Sequence, residues 1–320
     1  MMIRTLLAVS LVALAQCANA QEYPVRPVKL IVAYTPGAEN DLIARLVAQH
    51  LTEQFRQPFV VENKPGASGV IGADFVAKSS PDGYTLLLGN TTLLGIMGSL
   101  NPKLSYQPQD FEPITVVATI PTVLVVSPAL SVKDVAELVA LAKSKPGVLN
   151  YASPGTGTPM HLTAELFNVQ TGTSMIHIPY KGAAPAVADL VAGHVQLMFQ
   201  NVPTVLPHIR SGKLMAIATT SATRLAMLPE VPTLAEVGVT NAESVSWFAI
   251  VVPKGTPKAI AAMLQAEIAR GVKKPEIRQR LLDLGADPLA STPEETAAYI
   301  GREIAKWAKV IKASGIKAGD

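Results

Sequence analysis

Val28-Lys29-Leu30-Ile31-Val32-Ala33 runs into Tyr34-Thr35-Pro36-Gly37-Ala38-Glu39-Asn40-Asp41, and apolar residues then recur at Leu42, Ile43, Leu46, Val47, Leu51 and Phe55. The first run is short and rich in β-formers, and the last set has helical spacing, so the stretch reads as strand, turn and helix. Pro36-Gly37 bends the chain, and Asn40 or Asp41 can cap the new helix, expected over residues 42–55. Free amides and the helix dipole then point beyond the strand's end, where they favour an anion. Glu39 carries the wrong charge for that place.

The unit repeats. Phe59–Asn63 leads through Lys64-Pro65-Gly66-Ala67-Ser68-Gly69 to a helix-like Val70–Ala77, and Tyr84–Leu88 ends in Gly89-Asn90-Thr91-Thr92. Alternating strands and helices with short turns predict a parallel α/β sheet. The rhythm breaks at Ile114–Ala118 and Thr122–Val126, a long β-rich run interrupted by Pro121, where the chain is expected to pass to a second sheet. The pattern then restarts after a helix over residues 133–144. Leu149–Ala152 precedes Ser153-Pro154-Gly155-Thr156-Gly157-Thr158, Met175–Ile178 precedes Pro179-Tyr180-Lys181-Gly182, and Val195–Phe199 precedes Gln200-Asn201-Val202-Pro203. Each leads to a helix. Two like α/β lobes should face each other across a cleft at the carboxyl ends of their strands. Ser246–Val252 can return the chain to the first lobe, and three proline-initiated helices follow, the last with a capping box at Thr292 and Glu295. The expected division is residues 21–122 with 245–320 as one domain and 123–244 as the other.

Composition limits the function. Arg4, the apolar Leu6–Ala15 and Ala18-Asn19-Ala20 form an export signal with cleavage expected after Ala20, directing the chain to the periplasm. The apolar run is shorter than the about 20 residues that span a bilayer. Cleavage removes Cys17, the single cysteine, and with it any disulfide or thiol chemistry. It also leaves 26 Lys and Arg against 24 Asp and Glu, so the mature charge of +2 gives no nucleic-acid footprint. No later apolar run is long enough to insert in a membrane.

Catalytic signatures are thin. There is no G-x-S-x-G elbow, P-loop or H-E-x-x-H. Gly155-Thr156-Gly157 has Met160 where a dinucleotide fingerprint needs its third glycine. His161 and Glu165 share a helix face, but the pair reads as an ordinary helix contact before a metal site, and no metal or cofactor is expected. Asp41 reads as a helix cap before a ligand contact, Tyr180 as a cleft aromatic or a chain turn, and Trp247-Phe248 as hinge core before a pocket wall. Ser153–Thr158 offers hydroxyls, flexible glycines and a helix start, which suits a carboxylate. Two such turns at equivalent places favour a site over two capped turns.

The chain resembles the tripartite tricarboxylate transporter substrate-binding proteins, the Bug or TctC-type receptors of Gram-negative bacteria. The resemblance runs from Tyr23 to Ile316. It rests on Tyr23-Pro24-x-Arg26-Pro27, Pro36-Gly37-x-x-x-Asp41-x-x-Ala44-Arg45, Val61-Glu62-Asn63-Lys64-Pro65-Gly66 and Pro81-Asp82-Gly83-Tyr84. In the second half it rests on Asn150-Tyr151-Ala152-Ser153-Pro154-Gly155-x-Gly157-Thr158-x-x-His161-Leu162, His177-x-Pro179-Tyr180-Lys181-Gly182, Asn201-x-Pro203, Glu230-Val231-Pro232-Thr233 and Trp247-Phe248. It implies a two-lobed, type II-like periplasmic binding protein fold that closes on a small organic acid without catalysis. It also implies that the two turns, Tyr34, Gly37, Ala38, Glu39, Asn40 and Asp41 with Ser153, Thr156, Gly157 and Thr158, hold the ligand carboxylate, while side chains near Asn90, Thr91, Gln200 and Asn201 choose the rest; His161 and Tyr180, which stand in the matching motifs, complete the expected site. The partner it implies is an inner-membrane transporter, or alternatively a membrane sensor; a monomer is expected. A secreted α/β hydrolase using His161 is the competing class, and it leaves the duplicated lobes unexplained.

Two departures bear on the ligand. The family's first turn usually reads Pro-Gly-Gly and then small hydroxyl residues, where this chain has Ala38, Glu39 and Asn40. An aspartate common in the family is Gln200 here. A second carboxylate near a bound one repels it by about 1–4 kcal/mol at about 4 Å. Glu39 facing the cleft would favour an amino acid or a pyridine-carboxylate or amide over a polycarboxylate; Glu39 facing solvent would leave ligand choice unaffected.

Overall fold

The computed structural model describes residues 23–317. The export signal, its cleavage site and Cys17 lie outside the described residues. Strand β1 (Val28–Val32) is followed by α1 (Glu39–Phe55), β2 (Phe59–Asn63), α2 (Val70–Ala77) and β3 (Thr85–Asn90). A π-helical turn, Thr91–Ile96, and the short α3 (Met97–Leu100) lead to β4 (Phe111–Val126). The second series is α4 (Val135–Ser144), β5 (Asn150–Ser153), α5 (Pro159–Thr171), β6 (Ile176–Pro179), α6 (Ala183–Ala192), β7 (Leu197–Asn201), α7 (Val202–Arg210) and β8 (Met215–Thr219). The chain closes with β9 (Val245–Pro253), α8 (Lys258–Lys273), α9 (Pro275–Asp283), β10 (Asp287–Pro288) and α10 (Pro293–Ser314). Among the described residues no helix is long and apolar enough to cross a membrane.

The strands pair in the order β2-β1-β3-β9-β4-β7-β5-β6, with β8 and β10 also on β4. This path contains the same arrangement twice. In the first half β1 lies between β2 and β3, all parallel, and β9 runs antiparallel to β3. In the second, β5 lies between β6 and β7, again parallel, and β4 runs antiparallel to β7. The junction is β4 itself. Its residues up to Pro121 pair with β9, and Thr122 to Val126 pair with β7. The long β-rich run expected to change sheets is therefore one continuous strand that serves both, with Pro121 at the crossing point. A proline costs little there because the ladder changes partners at that residue.

Each sheet is covered on both faces, which is why its strands read as continuous apolar runs. Leu30 and Val32 pack under α1 and α8, whereas Ile31 and Ala33 pack under α2 and α10. In the second sheet, Leu197 and Phe199 face α4 and α5, and Met198 faces α6 and α7. The last cluster of the first sheet also takes in Leu162 and Leu166 of α5, so apolar contact joins the two halves behind the cleft.

Several boundaries move from those expected. Helix α1 begins at Glu39, one turn before Leu42, with Ala38 at its N-cap and no side-chain cap. Asp41 instead sits in the first turn and accepts the Gly37 N–H at 3.0 Å. The capping box of α10 is as expected, with the Glu295 N–H donating to Thr292 Oγ1 at 3.1 Å and the Thr292 N–H donating to Glu295 Oε2 at 2.9 Å. The two-residue β10 and the π-helical turn carry no periodicity long enough to signal them.

Helix α2 lies against β1 through Gly72. A Cβ there would come 2.9 Å from Ala33 Cα and 2.9 Å from the Lys64 carbonyl oxygen, both backbone atoms that cannot swing aside. Gly72→Ala should gain about 1 kcal/mol of helix propensity and lose about 1–3 kcal/mol to overpacking. Net destabilisation is expected in urea unfolding; a midpoint equal to or above wild type would show that α2 moves away freely.

Candidate functional site

The carboxyl ends of β1, β3, β5 and β7 open on one cleft, and residues lining it come from matched places in the two halves. Asn90 is the last residue of β3 and Asn201 the last of β7. Glu39 and Asn40 begin α1, and Pro159 and Met160 begin α5. All six line a cavity of about 130 Å³. A ligand that fits is small.

Of the residues expected at the site, Tyr34, Glu39, Asn40, Asn90, Thr91 and Asn201 line this cavity. Glu39 does not point to solvent: its Oε2 accepts from Asn201 Nδ2 at 3.0 Å, across from the other sheet. Asn201 is held in that orientation because its Oδ1 accepts from Ser246 Oγ at 3.0 Å. Asn90 Nδ2 donates to Asn40 Oδ1 at 3.1 Å, and Asn90 Oδ1 accepts from the Leu93 N–H at 3.1 Å. Thr91 Oγ1 accepts the Trp247 N–H at 3.0 Å, fixing the first sheet's turn to β9. The backbone amides of Glu39, Asn40 and Met160 have no acceptor among the described residues. Burial pushes the Glu39 carboxyl above its ordinary range, and the Asn201 hydrogen bond partly offsets this. Burial likewise pushes Tyr34 up, so it stays a neutral phenol.

The remaining expectations do not converge there, for reasons of local bonding. Gly37 and Ala38 form the turn behind Glu39. Asp41 is 2% exposed and fully committed: Arg45 donates to both its oxygens at 2.9 and 3.0 Å, and Asn63 donates to it at 2.9 Å. These donors, Arg45 first, hold its carboxyl down to about 2. Asp41 therefore shapes the turn from below.

The second turn spends its own donors. The Ser153 hydroxyl is fully buried, donates to the Gly155 carbonyl and accepts the Gly155 N–H, both at 3.1 Å. Thr158 Oγ1 donates to the same carbonyl at 2.7 Å and caps α5 through the His161 N–H. The Gly157 N–H donates to His161 Nδ1 at 3.0 Å, and Thr156 lies outside the cavity lining. His161 stacks on His177 with ring centroids 3.6 Å apart, and Glu165 accepts from Tyr151 Oη rather than approaching a metal or substrate. Tyr180 turns toward α6, donating to Asp189 at 2.7 Å. Gln200 points to the opposite face of β7, with its Oε1 on the Asn201 N–H and its Nε2 buried without a partner. The turn's hydroxyls thus build the start of α5 without lining the cavity.

Thr92, Pro159, Met160, Ser246, Trp247 and Phe248 complete the lining. Trp247 and Phe248 are buried as expected of hinge core and also wall the cleft. Pro159 and Met160 were within reach of the sequence, since they occupy the place of Glu39 and Asn40 in the second half. Ser246 was not, because its position depends on how β9 pairs.

The family model described as the tripartite tricarboxylate transporter family receptor matches residues 43–316. The chain belongs to that receptor family. Protein BugT of Bordetella pertussis is 40% identical over 301 residues, covering 93% of this chain and 92% of the relative. Among solved structures, a protein from R. palustris crystallised with adipate is 37% identical with a TM-score of 0.80, covering 92% of this chain and 99% of that one. MatC from Rhodopseudomonas palustris, solved with bound malate, is 32% identical with a TM-score of 0.75, covering 90% and 100%. Those two relatives were solved with carboxylic acids, and members of this family are substrate-binding receptors and not enzymes, so the hydrolase alternative falls. The family match begins after the first turn, so the departures at Ala38, Glu39 and Asn40 lie beyond its edge.

Proposed function

We propose that this chain is a periplasmic solute-binding protein that captures a small carboxylate-bearing organic solute and delivers it to an inner-membrane transporter. The signal over residues 1–20 would export it, and the lobes 21–122 with 245–320 and 123–244 would close about β4 and β9. The supporting observation is the convergence of two helix N-termini, with unpaired amides at Glu39, Asn40 and Met160, on a cavity whose amide and hydroxyl side chains share the wall with apolar residues and the carboxyl of Glu39. Such an end binds a carboxylate through N–H groups and dipole without a buried lysine. The cavity's size limits the solute to a small organic acid, amino acid, or pyridine-carboxylate or amide. Thermal unfolding across such a panel tests the reading. One class should stabilise saturably, by about 2.7 kcal/mol at a hundredfold excess over Kd, without being consumed. A flat response to every carboxylate would refute it.

A further inference from the structure

The two helix ends that meet at the cleft differ in charge. The first turn of α1 carries Glu39 and Asp41, whereas the first turn of α5 carries no acid. Asp41 is neutralised by Arg45. Among the described residues Glu39 is the only charged one lining the cavity, and no lysine or arginine lines it. Facing it are Asn201 and Ser246 from the hinge side, Asn90, Thr91, Thr92 and the neutral Tyr34 from its own sheet, and Pro159 and Met160 from α5. His161, next in α5, is turned away onto His177. Glu303 lies behind Trp247, accepting its indole N–H. Glu39 thus takes the anion place of α1 with no cation to balance it, and the end of α5 is left open.

We infer that the cleft holds its ligand in one polarity, carboxylate toward the start of α5 and a hydrogen-bond-donating or cationic group against Glu39, and that a ligand with a second carboxylate there enters together with a proton on Glu39. The inference rests on the carboxylate-binding reading above. The proton comes from solvent, and the protonated Glu39 then donates to the ligand's second carboxylate. Two unbalanced carboxylates at a half-buried position repel more strongly than in bulk solution. Burial already pushes the Glu39 carboxyl toward the protonated form, so uptake of one proton is an accessible response.

Matched ligands that differ only at one end test this: adipate against its monoamide adipamate, and succinate against succinamate. Isothermal titration of the mature chain at pH 8 should show each monoamide bound at least about tenfold more tightly than its diacid. Diacid affinity should rise toward about tenfold per unit of pH decrease, with close to one proton taken up per ligand when two buffers of different ionisation heat are compared. In Glu39→Gln, which keeps an oxygen for Asn201, both the preference and the proton uptake should vanish. Proton uptake in the wild type needs no variant, so a misfolded Glu39→Gln leaves the inference testable. Diacid binding without proton uptake, or equal preference in wild type and variant, overturns the polarity and leaves the binding-protein reading standing. Failure of all four acids to bind either protein overturns this inference, whereas the binding-protein reading falls only with a flat response across the whole carboxylate panel.

Discussion

Acidification from pH 7.5 to pH 5 is expected to remove about 2–4 kcal/mol of folding stability through His161 and His177 alone. The two rings are stacked 3.6 Å apart, and Tyr151 lies against His177 at 5.0 Å. Burial first, and the neighbouring His177 second, lower His161 to about 3; burial lowers His177 to about 4. Both are neutral in the fold. His161 Nδ1 must be unprotonated to accept the Gly157 N–H, and His177 Nε2 shares a hydrogen bond with the Ser153 hydroxyl at 2.6 Å. The unfolded chain binds protons at these histidines below about 6.5, so their stabilising effect is complete above that value. It is lost progressively as pH falls toward the folded values of about 4 and about 3. His50, lowered by burial, adds to the acid slope, which makes the informative quantity a difference. The urea midpoint of wild type should fall more steeply between pH 7.5 and 5 than that of His161→Gln with His177→Gln. Parallel pH profiles would remove the pair from the account.

That network also marks the limit of what the sequence made legible. The alternation of short apolar runs with Pro-Gly turns and helical spacing was enough for two like α/β halves, because a strand buried on both faces has few other readings. It was enough to locate the crossing near Pro121. Which polar side chains reach the cleft was harder, since Ser153 and Thr158 have the same local pattern whether their hydroxyls face a ligand or close their own turn. The structure shows the second: local hydrogen bonds outcompete the cavity at both residues. Asp41 is a similar case, its four-residue spacing to Arg45 being a sequence-visible i,i+4 pair that claims the carboxylate. Glu39 and Asn201 are separated by 162 positions, and only the pairing of β4 with both sheets brings them together.

Replacing Glu303 by leucine is expected to cost about 3–5 kcal/mol, the cost of breaking a buried charged network by removing one partner. The residue projects from α10 into the first sheet's core, 6% exposed, between two tryptophans with no exposure at all. Its Oε2 accepts from the indole nitrogens of Trp247 and Trp307, each at 3.0 Å, while Oε1 pairs with Lys306. Leucine fills similar volume but leaves two indole N–H groups buried without acceptors, each costing about 1–3 kcal/mol. Glu303→Gln retains an oxygen for the indoles and loses only the charge opposite Lys306, so it should cost less than half as much. In sequence, Glu303 looks like an exposed helix position four residues before Trp307; its partner Trp247 lies on a strand 56 residues away. Because Trp247 also walls the ligand cavity, the network ties the C-terminal helix to the site. Chemical denaturation of the two variants checks the stability order. Equal costs for leucine and glutamine would mean that volume, not the shared acceptor, sets the contribution of this position. Ligand titration of Glu303→Gln at a temperature where it remains folded then reads the second effect: weakened binding with the fold intact would show that the acceptor's charge holds Trp247 where the ligand needs it.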